Sequence, residues 1–451
     1  MQEGGWVKAN RNEERPAGVL QEAKQAGETK TGKWAWVERT VWTDRMLETL
    51  EKGVKGGVWF SLIDKVYRPE TLYRAWLRVK ANKGGAGTDH QSLEGFEGDL
   101  ERNLNKLHEE LRTGSYQPRP ILRKYIKKPG SREKRPLGIP CVRDRVVQTA
   151  VRFVVEPIFE RIFHPQSHGF RPERGCKDAL REVERLLKAG FFWVVDADLE
   201  NCFGSIPHEP MLREIKQQIG DGRVLGLLEA FLKQGIMEGL EQWTPEEGTP
   251  QGAVISPLMA NIYLNSVDGA MESAGYRMVR YADDFVILCC HQKEAEGALG
   301  QVQGQMTEKG LRIHPEKTRL VDVRAPGQGF DFLGYHFEGG TRWPRTKSLK
   351  KLKEAIRKKT GRSNGKSLEY IVGDVNGTLR GWFEYFKHSN ERVFPRLDQW
   401  IRRRLRSILR RRHKRKGISR GYDHYRWPNR YFRAVGLLSL KDAHRALLQS
   451  S

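Results

Sequence analysis

The apolar positions of this chain change their period several times along its length. Leu100, Leu104, Leu107 and Leu111 recur three and four residues apart, the spacing that lines one helix face, and Gly114 stands where that helix would stop. Val147, Val151, Val154 and Ile158 predict a second helix over residues 144–163, kinked at Pro157. Ala179, Val183, Leu186 and Leu187 predict a third, ending at Gly190. The pattern then switches. FFWVVDAD, residues 191–198, is short, apolar and rich in β-branched and aromatic side chains, and reads as a buried strand carrying Asp198 at its end. Residues 225–231 and 258–267 return to helical spacing. VRYADDFVILC, residues 279–289, is apolar on both sides of an Asp-Asp pair, the pattern of a hairpin with acids at its tip. Short strands are expected at 319–323 and 330–337, and from Thr341 onward the pattern is helical with no strand signal. No internal repeat is present. The fold class is therefore α+β, with a mixed body and a helical C-terminal third.

Regular structure is expected to begin near Pro69. Residues 1–55 are rich in Gly, Lys, Glu and Thr and show little periodicity, yet carry Trp34, Trp36 and Trp42. They read as a flexible arm, either docked by its tryptophans or an untethered tail.

Charge narrows the partners. The 451 residues hold 80 Lys and Arg against 56 Asp and Glu, a net +24. A polyanion is the first partner to consider, with a membrane surface as rival. The longest apolar run, Phe285 to Cys290, is six residues, far short of the roughly 20 that span a bilayer. The start, MQEGGWVKAN, lacks a signal-peptide pattern and has Gln2 where myristoylation needs glycine. Cys141, Cys176, Cys202, Cys289 and Cys290 form no Cys-x-x-Cys pair, so neither a disulfide framework nor a structural zinc site is expected, and the setting reads as cytoplasmic.

Three acids carry the candidate chemistry. A carboxylate at the end of an apolar strand is costly unless hydrated, paired or bound to metal. Asp198, Asp283 and Asp284 in so basic a chain suggest a divalent-cation site, and two Mg2+ ions suit in-line phosphoryl transfer. An ordinary Asp-Asp turn between strands would show the same tetrapeptide.

The surrounding words separate these readings. RPLGIPCVRDRVVQ, SHGFRP, DLENCF, TPQGAVISPLMANIYL, RYADDFVIL, HPEKT and FDFLGY occur in this order. Together they resemble the reverse transcriptases, or splicing maturases, encoded by bacterial group II introns, from about Lys83 to the C-terminus. The resemblance implies a right-hand polymerase: fingers and a palm with an antiparallel sheet, then an α-helical thumb or maturase domain and a small basic C-terminal segment. Its divisions would be an arm (1–55), an N-terminal extension and fingers (56–190), a palm (191–340), a thumb/maturase domain (341–416) and a DNA-binding-like segment without an endonuclease (417–451).

It also implies roles. Asp198, Asp283 and Asp284 would hold two Mg2+ ions. Phe203 would be the ring that rejects a 2′-OH, although a core phenylalanine would look the same. The family's usual acid after that Phe is Gly204 here. Gln251 would lie beside the incoming nucleotide, with Gly252 letting backbone approach it. Lys128 and Arg135 would sit on a finger hairpin over the triphosphate, Lys317 near the pyrophosphate, and FDFLGY under the primer end. Residues 341–366 hold eleven Lys or Arg and one acid, and 402–416 hold ten and none. Arg403, Arg406 and Arg410 share one helix face and are expected to contact RNA phosphates, with Leu405 and Leu409 packed opposite. The implied function is RNA-directed DNA synthesis that copies a group II intron during target-primed retrohoming, with splicing assistance. Its partners would be intron RNA, target DNA or primer, and dNTPs, with no membrane. A splicing-only maturase and a reverse transcriptase domesticated for defence or repair are the alternatives.

Overall fold

The computed structural model describes residues 32–54, 56–127, 134–415 and 421–449. Two compact units divide the chain. The first runs to Phe191 and resumes over Val195–Leu320, and the second comprises Phe192–Val194 and everything from Val321. Among the described residues, no helix is long and apolar enough to cross a membrane.

The first unit begins earlier than the sequence pattern suggests. Residues 32–54 are not a flexible arm. Helix Asp44–Lys52 is capped by the Thr43 hydroxyl, and Trp42 is wholly buried, its indole donating to the Phe153 carbonyl at 2.9 Å. Trp34 is also buried and bonds Glu51, while Trp36 is half-buried. The docked alternative therefore describes this segment. A helix of nine residues, mostly polar, offers too few apolar repeats to show a period.

Helices Ile63–Val66 and Pro69–Asn82 follow, then Leu93–Gly98 and Leu100–Thr113. The last buries Leu104, Leu107 and Leu111 and stops at Gly114, which takes the left-handed conformation. The strands lying wholly or partly in this unit, in chain order, are β1 (Ile121–Lys127), β2 (Lys134–Ile139), β3 (Trp193–Asp198), β4 (Ile236–Glu238), β5 (Glu241–Trp243), β6 (Arg277–Tyr281), β7 (Asp284–Cys289) and β8 (Arg319–Asp322). They form two four-stranded sheets, ordered β2-β1-β4-β5 and β6-β7-β3-β8. Helix Val142–Glu160 is buried almost all round, with Pro157 in its final turn. Helices Cys176–Lys188, Cys202–Ser205, His208–Lys216, Gly222–Leu232, Ser256–Ser273 and Gln292–Glu308 complete the unit. The short strands β4 and β5 carry no sequence signal that separates them from a loop.

The second unit departs from expectation in three places. Residues 330–337 are not one strand. Leu333 and Gly334 both take positive φ, so the chain reverses between β9 (Phe330–Phe332) and β10 (Tyr335–Glu338). β10 then pairs with β11 (Thr341–Pro344), a strand where only helix was expected. This three-stranded sheet groups with the helices that follow, so the division falls near residue 320 instead of 340. Helices Thr346–Lys359, Leu368–Phe386 and Val393–Arg412 come next, then Gly421–Arg426, Asn429–Ala434 and Leu440–Gln449. The described part of 417–451 is no separate segment. Trp427, Phe432 and Leu440 share one apolar core with Ile356, Leu379, Leu405 and Ile408. Asp398 ties the join by accepting from the backbone of Leu440 and Lys441 and from the Ser439 hydroxyl.

Candidate active site

β3 runs out of the core and ends on Asp198, and β7 lies next to it in the sheet. β7 pairs with β6 in a register that sets Tyr281 opposite Asp284. Only Ala282 and Asp283 remain for the turn, and Ala282 takes φ +60° to make it. Asp283 thus sits on the turn and Asp284 opens the next strand. Burial pushes the Asp283 carboxyl above the usual carboxylate range. A backbone hydrogen bond and the Arg135 charge pull it down, the Asp198 charge pushes it up again, and Arg280 pulls it down. Asp198 and Asp283 therefore lie within each other's field, a pair that a divalent cation would relieve.

Lys317 reaches the same place. Its ammonium donates to Asp198 Oδ2 at 2.7 Å, occupying one carboxylate oxygen as a cation would. Among the described residues, no three His, Cys, Asp or Glu side chains are gathered closely enough to hold one ion as they stand. The donor chemistry still suits a hard cation, because carboxylate oxygens are the ligands Mg2+ favours.

The loop 249–252 closes the site from another side. Arg135 on β2 donates from Nε to Gln251 Oε1 at 3.0 Å, and the Gly138 amide donates to the Gln251 carbonyl at 2.6 Å. Gly252 has φ +110°, and a Cβ there would lie 2.3 Å from the Gly138 carbonyl oxygen. The close pass of β2 by itself requires glycine at this position. The Phe203 ring is 9% exposed, and its carbonyl accepts from the Thr249 amide at 2.5 Å. Gly204 also has a local reason: a Cβ there would meet the Asn201 side chain at 2.3 Å. The structure thus brings Arg135 to Gln251 and Lys317 to Asp198. Lys128 lies outside the described residues.

Three polar residues behind the turn have no assigned role in the sequence reading. Arg280, Asp268 and Asn261 are almost fully buried and bonded to one another. The one available signal is a charged side chain inside the apolar strand MVRY.

A family described as "Reverse transcriptase (RNA-dependent DNA polymerase)" matches residues 126–337, which hold every residue of this site. A second, "Group II intron, maturase-specific domain", matches residues 349–427. "Protein YkfC" of Escherichia coli K12 is 33% identical over 319 residues, 61% of this chain and 82% of that protein. "Group II intron-encoded protein LtrA" of Lactococcus lactis is 38% identical over 213 residues, 47% of this chain. The chain belongs to the group II intron reverse transcriptase/maturase family. The match spans only 35% of the length of LtrA. A solved "Partial Cas6-RT-Cas1--Cas2 complex" is 25% identical and covers 55% of this chain and 41% of its own, at a TM-score of 0.36, too loose a likeness to bear on the fold.

The maturase-specific region of this family member contains the three arginines expected to face RNA, and the structure separates them. Arg403 is exposed. Arg406 is 2% exposed, donates to the Trp427 carbonyl and Asn429 Oδ1 at 2.9 Å each, and lies over the Phe432 ring. Arg410 pairs with the buried Asp423 at 2.9 Å. Arg406 and Arg410 are thus not a phosphate-facing stripe. Helical spacing sets them on one face, but residues 421–434 fold over that face, and Leu405 and Leu409 are buried as well. Another set of cations is gathered instead around the half-exposed Trp400. Lys353, Arg357 and Arg404 lie 6.0, 5.9 and 5.6 Å from its ring centre, and the helix carrying the first two has Glu354 as its single acid.

Proposed function

We propose that the protein is an RNA-directed DNA polymerase of a bacterial group II intron, working in the cytoplasm, that binds intron RNA to assist splicing and copies it into cDNA during target-primed retrohoming. The observation that carries this reading is the topology of the acids: Asp198 ends β3, β7 is its neighbour in the sheet, and Asp283 occupies the turn that leads into β7 at Asp284. The first unit then acts as fingers and palm and the second as thumb, the right-hand arrangement of polymerases.

Two Mg2+ ions held by Asp198, Asp283 and Asp284 would activate the primer 3′ oxygen and neutralise the leaving pyrophosphate. The chain's own residues do the rest. Arg135 offers a guanidinium fork to the triphosphate, exchanging its bond to Gln251 for phosphate oxygens. Lys317, which holds Asp198 Oδ2 here, would offer its ammonium to the pyrophosphate as the bond to the α-phosphorus breaks. Phe203 stands below the sugar, where its ring would meet a 2′-OH. Gln251, released by Arg135, borders the base pair. Lys128, seven positions before Arg135 in the sequence, would add a point charge.

In the second unit, Arg403 and the cations around Trp400 form the RNA surface. The helix that carries Lys353 and Arg357 has Glu354 as its single acid, so its basic side chains outnumber it and phosphate would supply the balance. Arg406 and Arg410 have no part in it. The test is Asp283→Asn, assayed by primer extension on an RNA template and by splicing of the intron. Loss of synthesis with retained splicing assistance is the expected result, because the ribozyme performs its own chemistry. Undiminished primer extension would overturn the assignment of the site.

A further inference from the structure

One guanidinium joins three segments behind the catalytic turn. Arg280 is 1% exposed, and so is the Asp268 side chain it pairs with. Its Nε donates to Asp268 Oδ1 at 2.7 Å and its Nη2 to Asp268 Oδ2. Its Nη1 donates to Asn261 Oδ1 and to the Ala282 carbonyl, both at 3.0 Å. Asn261 and Asp268 stand seven residues apart on helix Ser256–Ser273, two turns along one face. Asn261 also donates to the Gly169 carbonyl at 2.7 Å. Gly169 is pressed so close to the turn that a Cβ there would lie 2.3 Å from the Ala282 nitrogen. The backbone closes the same joint: the Arg280 amide donates to Gln166, and the His168 amide donates to the Arg280 carbonyl.

Stability alone does not account for this arrangement. Removing two charges from water costs several kcal/mol per ion, and apolar replacements of buried pairs are often as stable or more so. What apolar residues could not supply is a donor to the Ala282 carbonyl. Ala282 has left-handed backbone, a conformation costly for a residue with a Cβ, and it immediately precedes Asp283. Whatever holds the Ala282 carbonyl fixes where the next carboxylate points.

We propose that Arg280, held by Asp268 and Asn261, is a positioning residue that sets the aim of Asp283 and thereby the affinity of the acid pair for a divalent cation. The proposal rests on Asp283 being a metal ligand. Partners that orient metal ligands typically change affinity by roughly 10- to 100-fold when lost. Arg280→Lys keeps the charge but loses the fork, so it cannot serve Asp268, Asn261 and Ala282 together. Asn261→Ala removes one acceptor and the Gly169 contact, and is the milder variant should the first fail to fold.

The full-length protein would be titrated with Mn2+ by electron paramagnetic resonance, alongside filter binding of an RNA–DNA template–primer and a melting curve. Arg280→Lys should bind Mn2+ about 10-fold more weakly, keep its template–primer Kd, and regain part of its primer extension at raised Mg2+. Asn261→Ala should shift the same way by a smaller factor. A lowered Tm with unchanged Mn2+ affinity in the folded variants would overturn the proposal and leave Arg280 as core packing. Asp283→Asn serves as the separate control. Wild-type Mn2+ affinity in that variant would show that the metal assignment itself fails, whatever Arg280 does.

Discussion

Two arginines sit almost equally deep in this protein, Arg280 beside the Ala282–Asp283 turn and Arg406 in the second unit. Arg280 is enclosed by Asn261 and Asp268 on helix Ser256–Ser273 and by the Ala282 carbonyl of its own motif. Arg406 is enclosed by a segment that begins some fifteen residues later and folds back over its helix. At the Ala282–Asp283 turn the motif predicts the local geometry, since a two-residue turn and a strand end leave few alternatives. Around Arg406, helical spacing predicts only which side chains share a face and says nothing about what covers that face. Charge alone cannot distinguish a solvated stripe from a buried one.

The largest expected effect tests the first region. Asp283→Asn should lower primer extension by about three orders of magnitude or more, because metal positioning supplies most of the catalysis. Splicing of the intron should continue. If both activities fall together at full protein stability, the two units are not functionally separable.

The contrast is sharpest within one helix. Arg406→Ala leaves the Trp427 carbonyl and Asn429 without their charged donor and should cost about 2–3 kcal/mol. Arg403→Ala, on the exposed face, should cost less than about 0.5 kcal/mol. Thermal unfolding of the two variants measures the difference, and equal melting temperatures would break the comparison. RNA binding should respond in the reverse order, with Arg403→Ala weakening it at unchanged stability.

A smaller effect is expected at the Trp400 cluster. Replacing Lys353, Arg357 and Arg404 by Gln should flatten the dependence of log affinity on log salt by up to about 2–3, if each meets one phosphate. Filter binding of intron RNA across a salt series reads it directly. An unchanged slope would move the RNA surface away from Trp400. The smallest effect concerns Phe203, whose ring is nearly covered already. Phe203→Ala should raise the incorporation of CTP relative to dCTP by about 10-fold, a discrimination of roughly 1.4 kcal/mol. An unchanged ratio in the folded variant would return Phe203 to the core.

The same division explains how much the sequence reveals. Helix Leu100–Thr113, the strand ending at Asp198 and the acid turn are all written in short local patterns, the longest running from Leu100 to Gly114. The pairing of Arg135 with Gln251, 116 residues away, follows the motif order but not any local spacing. The hairpin at 330–338 is hidden because its reversal uses Leu333, a residue that seldom takes positive φ. Residues 32–54 look featureless because tertiary contact, not periodicity, orders them: Trp42 finds its partner at Phe153. Gly252 shows a third kind of limit. The need for glycine is legible there, but the neighbour that requires it is the Gly138 carbonyl, which only the folded chain identifies.

The cover over Arg406 has a consequence in time. Synthesis runs from the N-terminus, so helix Val393–Arg412 leaves the ribosome before residues 421–440 do. During that interval Leu405, Ile408 and Leu409 lack Trp427, Phe432 and Leu440, and Arg406 and Arg410 lack the carbonyl and carboxylate that later hold them. A nascent chain therefore presents a stickier and more cationic face than the finished protein.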